Sequence, residues 1–438
     1  MNTTTNTIST LHAYRASILH FTADPAFGDQ AHAFHEDGLL IVDGAHIRAA
    51  GDYATLKDTL PVDLVVTDYR GKLIVPGFID THIHYPQTDM IASPAPGLLP
   101  WLETYTFPTE RQFSDPVHAR DVADFFLDEL LRCGTTTAMV YCTVHPESVE
   151  AFFSASEERN LRMVAGKVMM DRHCPEFLQD TAESGARDSE ALIRRWHKRG
   201  RQLYAITPRF APTSSNAQLQ LAGELAQAWP DTYVQTHVAE NTDEVAWVKS
   251  LFPQARSYLD VYEQFGLLRE RTMLAHCIWL DGDDRARMAA TGAAAAVCPT
   301  SNLFLGSGLF DFAAADAAQL RLSLATDVGG GTSFSMLQTM NETYKVARMG
   351  NTYLPALRMF YLATLGAARS MQLEGTIGNF VAGAEADFIV LDPQATPLLA
   401  RRTARTDSLE EWLFAFALLG DDRAVMATYA AGRVVHVR

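Results

Sequence analysis

The chain has 438 residues, 47% apolar and 20% charged, with a net charge of −16 from 36 basic and 52 acidic residues. This is the composition of an ordinary globular protein, and its length implies one large domain with an accessory. The acidic balance speaks against a nucleic-acid partner or an anionic membrane surface, and no apolar run is long enough to span a bilayer.

In chain order, residues 1 to about 10 read as a frayed polar tail without a secretion signal. The segments "RASILHF", "GLLIVDG", "HIRAAGDY" and "LVVTDYRGKLIVPG" alternate short apolar runs with turn residues, the pattern of a small β-domain. The same texture returns in "ADFIVLDP" (386–393) and "VMATYAAGRVVHV" (425–437). Residues 1–75 and 371–438 are therefore expected to build one composite β-sandwich, with 76–370 inserted between them.

Across 76–370 the texture changes. Eight strand-like runs alternate with helical segments: "FIDTHIH" (78–84), "TTTAMVYCTVH" (135–145), "RMVAGKVMMD" (162–171), "YAITPRF" (204–210), "TYVQTHVAE" (232–240), "TMLAHCIWL" (272–280), "AAAAVCPTSN" (293–302) and "RLSLATDVGG" (321–330). "ARDVADFFLDELLRCG" and "ALIRRWHKRG" show helical periodicity with a glycine stop. The alternation predicts an α/β fold, a (β/α)8 TIM-like barrel with its site at the C-terminal strand ends. "SPAPGLLPWLETYTFPTE" (93–110) interrupts the pattern after the first run and is expected to be a lid over that site.

Polar residues stand at those strand ends. In the first run His82 and His84 are two apart, so on a strand they project together. Two converging imidazoles suit a divalent metal, although a lone HxH also arises by chance. The fifth run adds His237 and Glu240, the sixth His276 and the eighth Asp327. Imidazoles with one carboxylate make an N/O site for Zn²⁺ or Fe²⁺, and such a metal brings the pKa of bound water down to about 7. Glu240, three residues past His237, is placed to shuttle a proton rather than to ligate.

The motifs "PGFIDTHIHYPQ", "TPRFAPT", "THVAENTDEV", "LAHC", "CPTSNLFLGSG", "ATDVGGGTSFSML" and "GTIGNFVAGAEADFIVLDP" cover essentially the whole chain. By them the sequence resembles the amidohydrolase superfamily and, within it, the guanine deaminases. The resemblance implies one zinc per subunit on His82, His84, His237 and Asp327. It implies Glu240 as general acid/base, with His276 and Asp327 as further catalytic groups. It also implies a purine held by Gln87, Arg209 and Phe210 with His237 and Glu240, and a cytoplasmic homodimer. Guanine offers an O6 acceptor beside N1–H, so Arg209 can donate to O6 while the Gln87 amide can both accept and donate.

Two residues depart from the family pattern. Cys277 follows the sixth-run histidine where glycine is common, and His173 stands where asparagine is expected. A neighbouring reading is a zinc aminohydrolase acting on 8-oxoguanine, another aminopurine or an s-triazine. A remote one is a non-catalytic binding protein, which the intact ligand set speaks against. The fourth run offers Arg209 and no lysine to bridge two metals, and there is no HxE with PCxxC of the cytidine-deaminase type. "DVGGG" lacks the lysine of a phosphate loop. Five cysteines at wide spacing, with no CxxC, read as reduced, buried thiols.

Overall fold

The computed structural model describes residues 11–438 except Asp29 and Ala95; the expected polar tail lies outside the described residues. Both ends of the chain build one seven-stranded sheet. Its strands are β1 (Leu11–Phe21), β2 (His32–Asp43), β3 (His46–Asp52) and β4 (Val66–Pro76) from the N-terminal side. From the C-terminal side come β14 (Phe388–Leu391), β15 (Val425–Ala430) and β16 (Arg433–Val437), in the spatial order β16-β15-β14-β4-β1-β2-β3. The two ends meet where β4 pairs antiparallel with β14, Pro76 opposite Phe388 and Leu73 opposite Leu391.

After Gly77 the chain enters the barrel. Its eight parallel staves are β5 (Phe78–His84), β6 (Thr135–Tyr141), β7 (Arg162–Gly166), β9 (Leu203–Pro208), β10 (Tyr233–Val238), β11 (Thr272–His276), β12 (Ala294–Val297) and β13 (Arg321–Leu324). A two-residue strand, β8 (Val168–Met169), pairs beside β9. Each stave coincides with one of the eight apolar runs, β9 starting one residue earlier at Leu203. These runs are continuous rather than alternating because the strands are covered on both faces: every residue of β5 and β6 is buried. β13 returns to β5 through the Thr81 and Ser323 hydroxyls, 2.8 Å apart, and through the Asp327 N–H donating to the His82 carbonyl at 2.9 Å.

Helices wrap the barrel with ordinary start and stop signals. Pro116–Arg132 begins where the Asp115 carboxylate accepts from the Val117 N–H at 2.9 Å, and it is followed by Gly134 at φ 83°. Arg162 and Arg201, at the starts of β7 and β9, pair with Glu385 and Asp387. The β-domain is thus anchored to the N-terminal end of the barrel, and the opposite mouth stays available. Helix Leu409–Leu419 belongs to the C-terminal segment but packs on the barrel shell, where the Glu410 carboxylate accepts from the Ala356 N–H at 2.5 Å.

The segment following the first stave is helical rather than irregular. It runs through turns at Leu98–Trp101, Leu102–Thr106, Phe107–Glu110 and Arg111–Ser114. The Leu102–Thr106 turn is π-like and sits just before Pro108, which supplies no N–H to the preceding turn.

Candidate active site

The residues singled out at the strand ends converge at the C-terminal mouth. His82 Nε2 lies 3.1 Å from Asp327 Oδ1, and His84 Nε2 lies 3.3 Å from the same oxygen. His237 Nε2 is 3.3 Å from His84 Nε2. Burial depresses all three imidazoles: His84 falls to about 3, His82 is lowered, and His237 is held well below its usual value, with the neighbouring histidines adding to the effect. They are therefore neutral. His237 Nδ1 donates to the Arg209 carbonyl at 2.7 Å, which leaves its Nε2 lone pair facing inward. His82 Nε2 is buried and makes no hydrogen bond among the described residues. Lone pairs crowding a carboxylate with no proton between them fit a cation better than they fit one another.

The backbone bends sharply at this point. Ala239, His276 and Asp327 all adopt left-handed conformations, with φ of 50°, 70° and 51°. Such conformations cost side-chain-bearing residues about 1–3 kcal/mol each and cluster where a site over-determines them. The two departures from the family pattern fall on the same kind of residue: Cys277 has φ 54° and His173 φ 49°. Glycine suits such a position because it has no Cβ, and asparagine because it adopts the left-handed region more readily than most residues.

On one side of the cluster stands Glu240. It is fully buried, and its carboxyl is pushed up to about 8, first by burial and then by the charge of Asp327. Ser307 Oγ donates to its Oε1 at 2.7 Å and works in the opposite direction. His276 Nε2 lies 3.4 Å from Glu240 Oε2 and 3.8 Å from Asp327 Oδ2. His276 Nδ1 is 2.8 Å from Asn302 Oδ1 and donates to it. Behind Glu240, the buried Glu244 carboxylate accepts from the N–H groups of Glu240 (2.9 Å) and Asn241 (3.2 Å), the start of helix Thr242–Leu251. Burial and Glu240 push the Glu244 carboxyl up to about 7.

On the other side, Gln87, Arg209 and Phe210 line the same pocket, closed over by Leu98, Trp101 and Leu102 of the helical segment. The expected covering of the site by this segment is thus met in place. Gln87 is oriented more tightly than the sequence reading allowed, because its Nε2 donates to Glu110 Oε1 at 3.1 Å, which leaves its Oε1 and the second N–H of its NH₂ for a ligand. The glycine run explains itself here: a Cβ on Gly329, at φ 119°, would come within 1.9 Å of Gln87 Oε1.

Sequence reasoning missed Glu110, Glu244, Asn302 and Ser307. Glu244 could have been found as the N3 partner of Asn241 in a capping arrangement. Asn302 and Ser307 lie inside "CPTSNLFLGSG" but carry no spacing signal of their own. Cys298 sits within 4.8 Å of the His82, His276 and Asp327 ligand atoms. Burial and Asp327 push its thiol well above the usual range, so it remains the buried apolar group expected of it. All five cysteines are free.

A barrel with three imidazoles and a carboxylate gathered at its mouth is a hydrolase scaffold whose cluster suits a metal ion. The chain belongs to the amidohydrolase family, whose model matches residues 73–435. It is 50% identical to a guanine deaminase of Escherichia coli strain K12 over 432 residues, 98% of each chain. The solved structure of E. coli guanine deaminase superposes with a TM-score of 0.94, covering 98% of this chain and 99% of that one. A guanine deaminase from C. acetobutylicum, crystallised with guanine in its active site, superposes at 0.86 with 26% identity, covering 97% and 100%.

Proposed function

We propose that this protein is a zinc-dependent aminohydrolase that converts guanine and water to xanthine and ammonia. The reading is carried by one observation: His84, His237 and Asp327, with His82 3.1 Å from Asp327, line the same pocket as the Arg209–Gln87 pair. Likeness to guanine deaminases along almost the whole chain supports it.

His82, His84, His237 and Asp327 would hold the cation, which when bound makes water nucleophilic at neutral pH. The purine enters with its six-membered ring towards the cluster. Arg209 donates to O6, Gln87 Oε1 accepts from N1–H, and Phe210 packs beside the ring. Water adds to C2. Glu240 takes a proton from that water and delivers it to ring N3, a transfer for which a carboxyl near 8 is suited. The tetrahedral carbon then carries hydroxyl and amine. Glu240 or Asp327 moves the hydroxyl proton to the amine, the C2–N bond breaks, and ammonia leaves a C2 carbonyl behind. His276, held by Asn302, steadies the developing oxygen charge.

The test is ammonia release by metal-replete protein from guanine, 8-oxoguanine, adenine, cytosine and an s-triazine side by side. Guanine is expected to be turned over fastest, and faster turnover of another base would move the assignment to that base. We further propose, from the family resemblance, a cytoplasmic homodimer; light scattering is expected to give twice the chain mass.

A further inference from the structure

Glu110 is 1% exposed and sits on the helical segment over the pocket. Its Oε1 and Oε2 accept from Arg209 Nη1 at 2.9 and 2.8 Å, and Oε1 also accepts from Gln87 Nε2 at 3.1 Å. One carboxylate therefore takes a donor from each of the two side chains facing the base. Nη2 and Nε of Arg209 and Oε1 of Gln87 have no hydrogen-bond partner among the described residues. What remains for a ligand is a donor face from Arg209 and, from Gln87, an acceptor oxygen beside the one N–H that Glu110 does not take.

We propose that Glu110 is a positioning residue that sets the specificity of the pocket by fixing this donor–acceptor order. The inference rests on the functional reading above. An amide side chain can turn over and exchange its oxygen for its NH₂ at little cost. Bound to a carboxylate, which only accepts, the NH₂ of Gln87 must stay on Glu110 and the oxygen must face the base. A 6-oxopurine, with a carbonyl beside a ring N–H, matches Arg209 and Gln87 in order. A 6-aminopurine reverses both groups, so donor meets donor and acceptor meets acceptor. Sites that present buried hydrogen-bonding groups in fixed order reject a mismatched ligand far more strongly than apolar pockets do. The charge of Glu110 also balances Arg209, so the pocket favours an uncharged base over an anionic one.

The decisive pair of substrates is guanine and 2,6-diaminopurine, which carry the same reactive 2-amine and differ only at the edge Glu110 controls. In the parent, kcat/KM is expected to favour guanine by at least about 100-fold. In Glu110→Gln the amides are free to rearrange, so that ratio should shrink at least tenfold, with KM for guanine rising more than kcat falls. Glu110→Asp, too short to hold both partners, should give an intermediate ratio. A purely structural role for Glu110 lowers both substrates together and leaves the ratio within twofold of the parent's, and that result overturns the proposal. Should Glu110→Gln fail to fold, the ratio in Glu110→Asp decides in the same way. A parent that prefers guanine alongside an unchanged ratio in the variants overturns only this inference. A parent that releases no ammonia from guanine overturns the functional reading as well.

Discussion

The pocket has two walls, built in different ways. The wall proposed to hold the metal draws its atoms from strand ends whose motifs are short and local: His82 and His84 two apart on β5, His237 on β10 with Glu240 three residues on, Asp327 after β13. The base wall is assembled from three distant places: Gln87 after β5, Glu110 on the covering segment, and Arg209 after β9. Strand alternation aims His82 and His84, and the turns just past β10 and β13 place Glu240 and Asp327, whereas the second set exists only when the covering segment is packed. On the proposed function, the chemistry is set at the strand ends, while selectivity would depend on how one segment sits.

Substitutions on the two walls should fail differently. The largest effect is expected from Glu240→Gln, which should lower kcat at least about 1000-fold while elemental analysis still finds a full complement of metal. An equal loss of metal would mean that Glu240 belongs to the ligand set. Next comes Arg209→Lys on the base wall. Arg209 spends Nη1 on Glu110 and keeps Nη2 and Nε for a ligand, whereas lysine has a single nitrogen for both, so kcat/KM for guanine should fall about 100-fold, mostly through KM. A fall confined to kcat would place Arg209 in the chemistry instead.

This contrast also decides what the sequence could disclose. All eight staves were legible as strand-like runs, because strands buried on both faces lack the alternation with exposed polar residues that a half-exposed strand shows. The metal cluster was legible because each member ends such a run. Glu110 was not, since its partners are 23 and 99 residues away and no local periodicity links them. Ser307 and Asn302 were quoted within a motif, yet their contacts to Glu240 and His276 depend on the crossing of separate loops. Left-handed backbone at His276 and Asp327 has no sequence signature either, since neither residue is glycine.

Two smaller effects refine the metal wall. Ser307→Ala removes a hydroxyl whose hydrogen bond partly offsets the upward shift of Glu240, so the limb of the kcat/KM profile reporting Glu240 should move to higher pH by about 0.5–1 unit, with about a tenfold loss in rate. A limb moving to lower pH would contradict the assigned contact. The smallest effect concerns Glu244, whose carboxyl is raised from 4.5 to about 7 in the folded protein. The unfolded chain releases that proton first and so binds fewer protons, which means folded stability declines as pH rises through this window. Glu244→Gln, which cannot titrate, should therefore gain on the parent between pH 5 and 8, by about 3 °C in the Tm of metal-free protein. A Tm difference that is flat with pH would show that Glu244 does not titrate there.

The account stands most directly on a titration of chelator-treated protein with Zn²⁺, following ammonia release from guanine. Activity absent at the start should rise linearly and level off at one equivalent per chain. Turnover of guanine that survives full chelation, or a plateau reached only at two equivalents, would contradict the single four-residue site from which the function is argued.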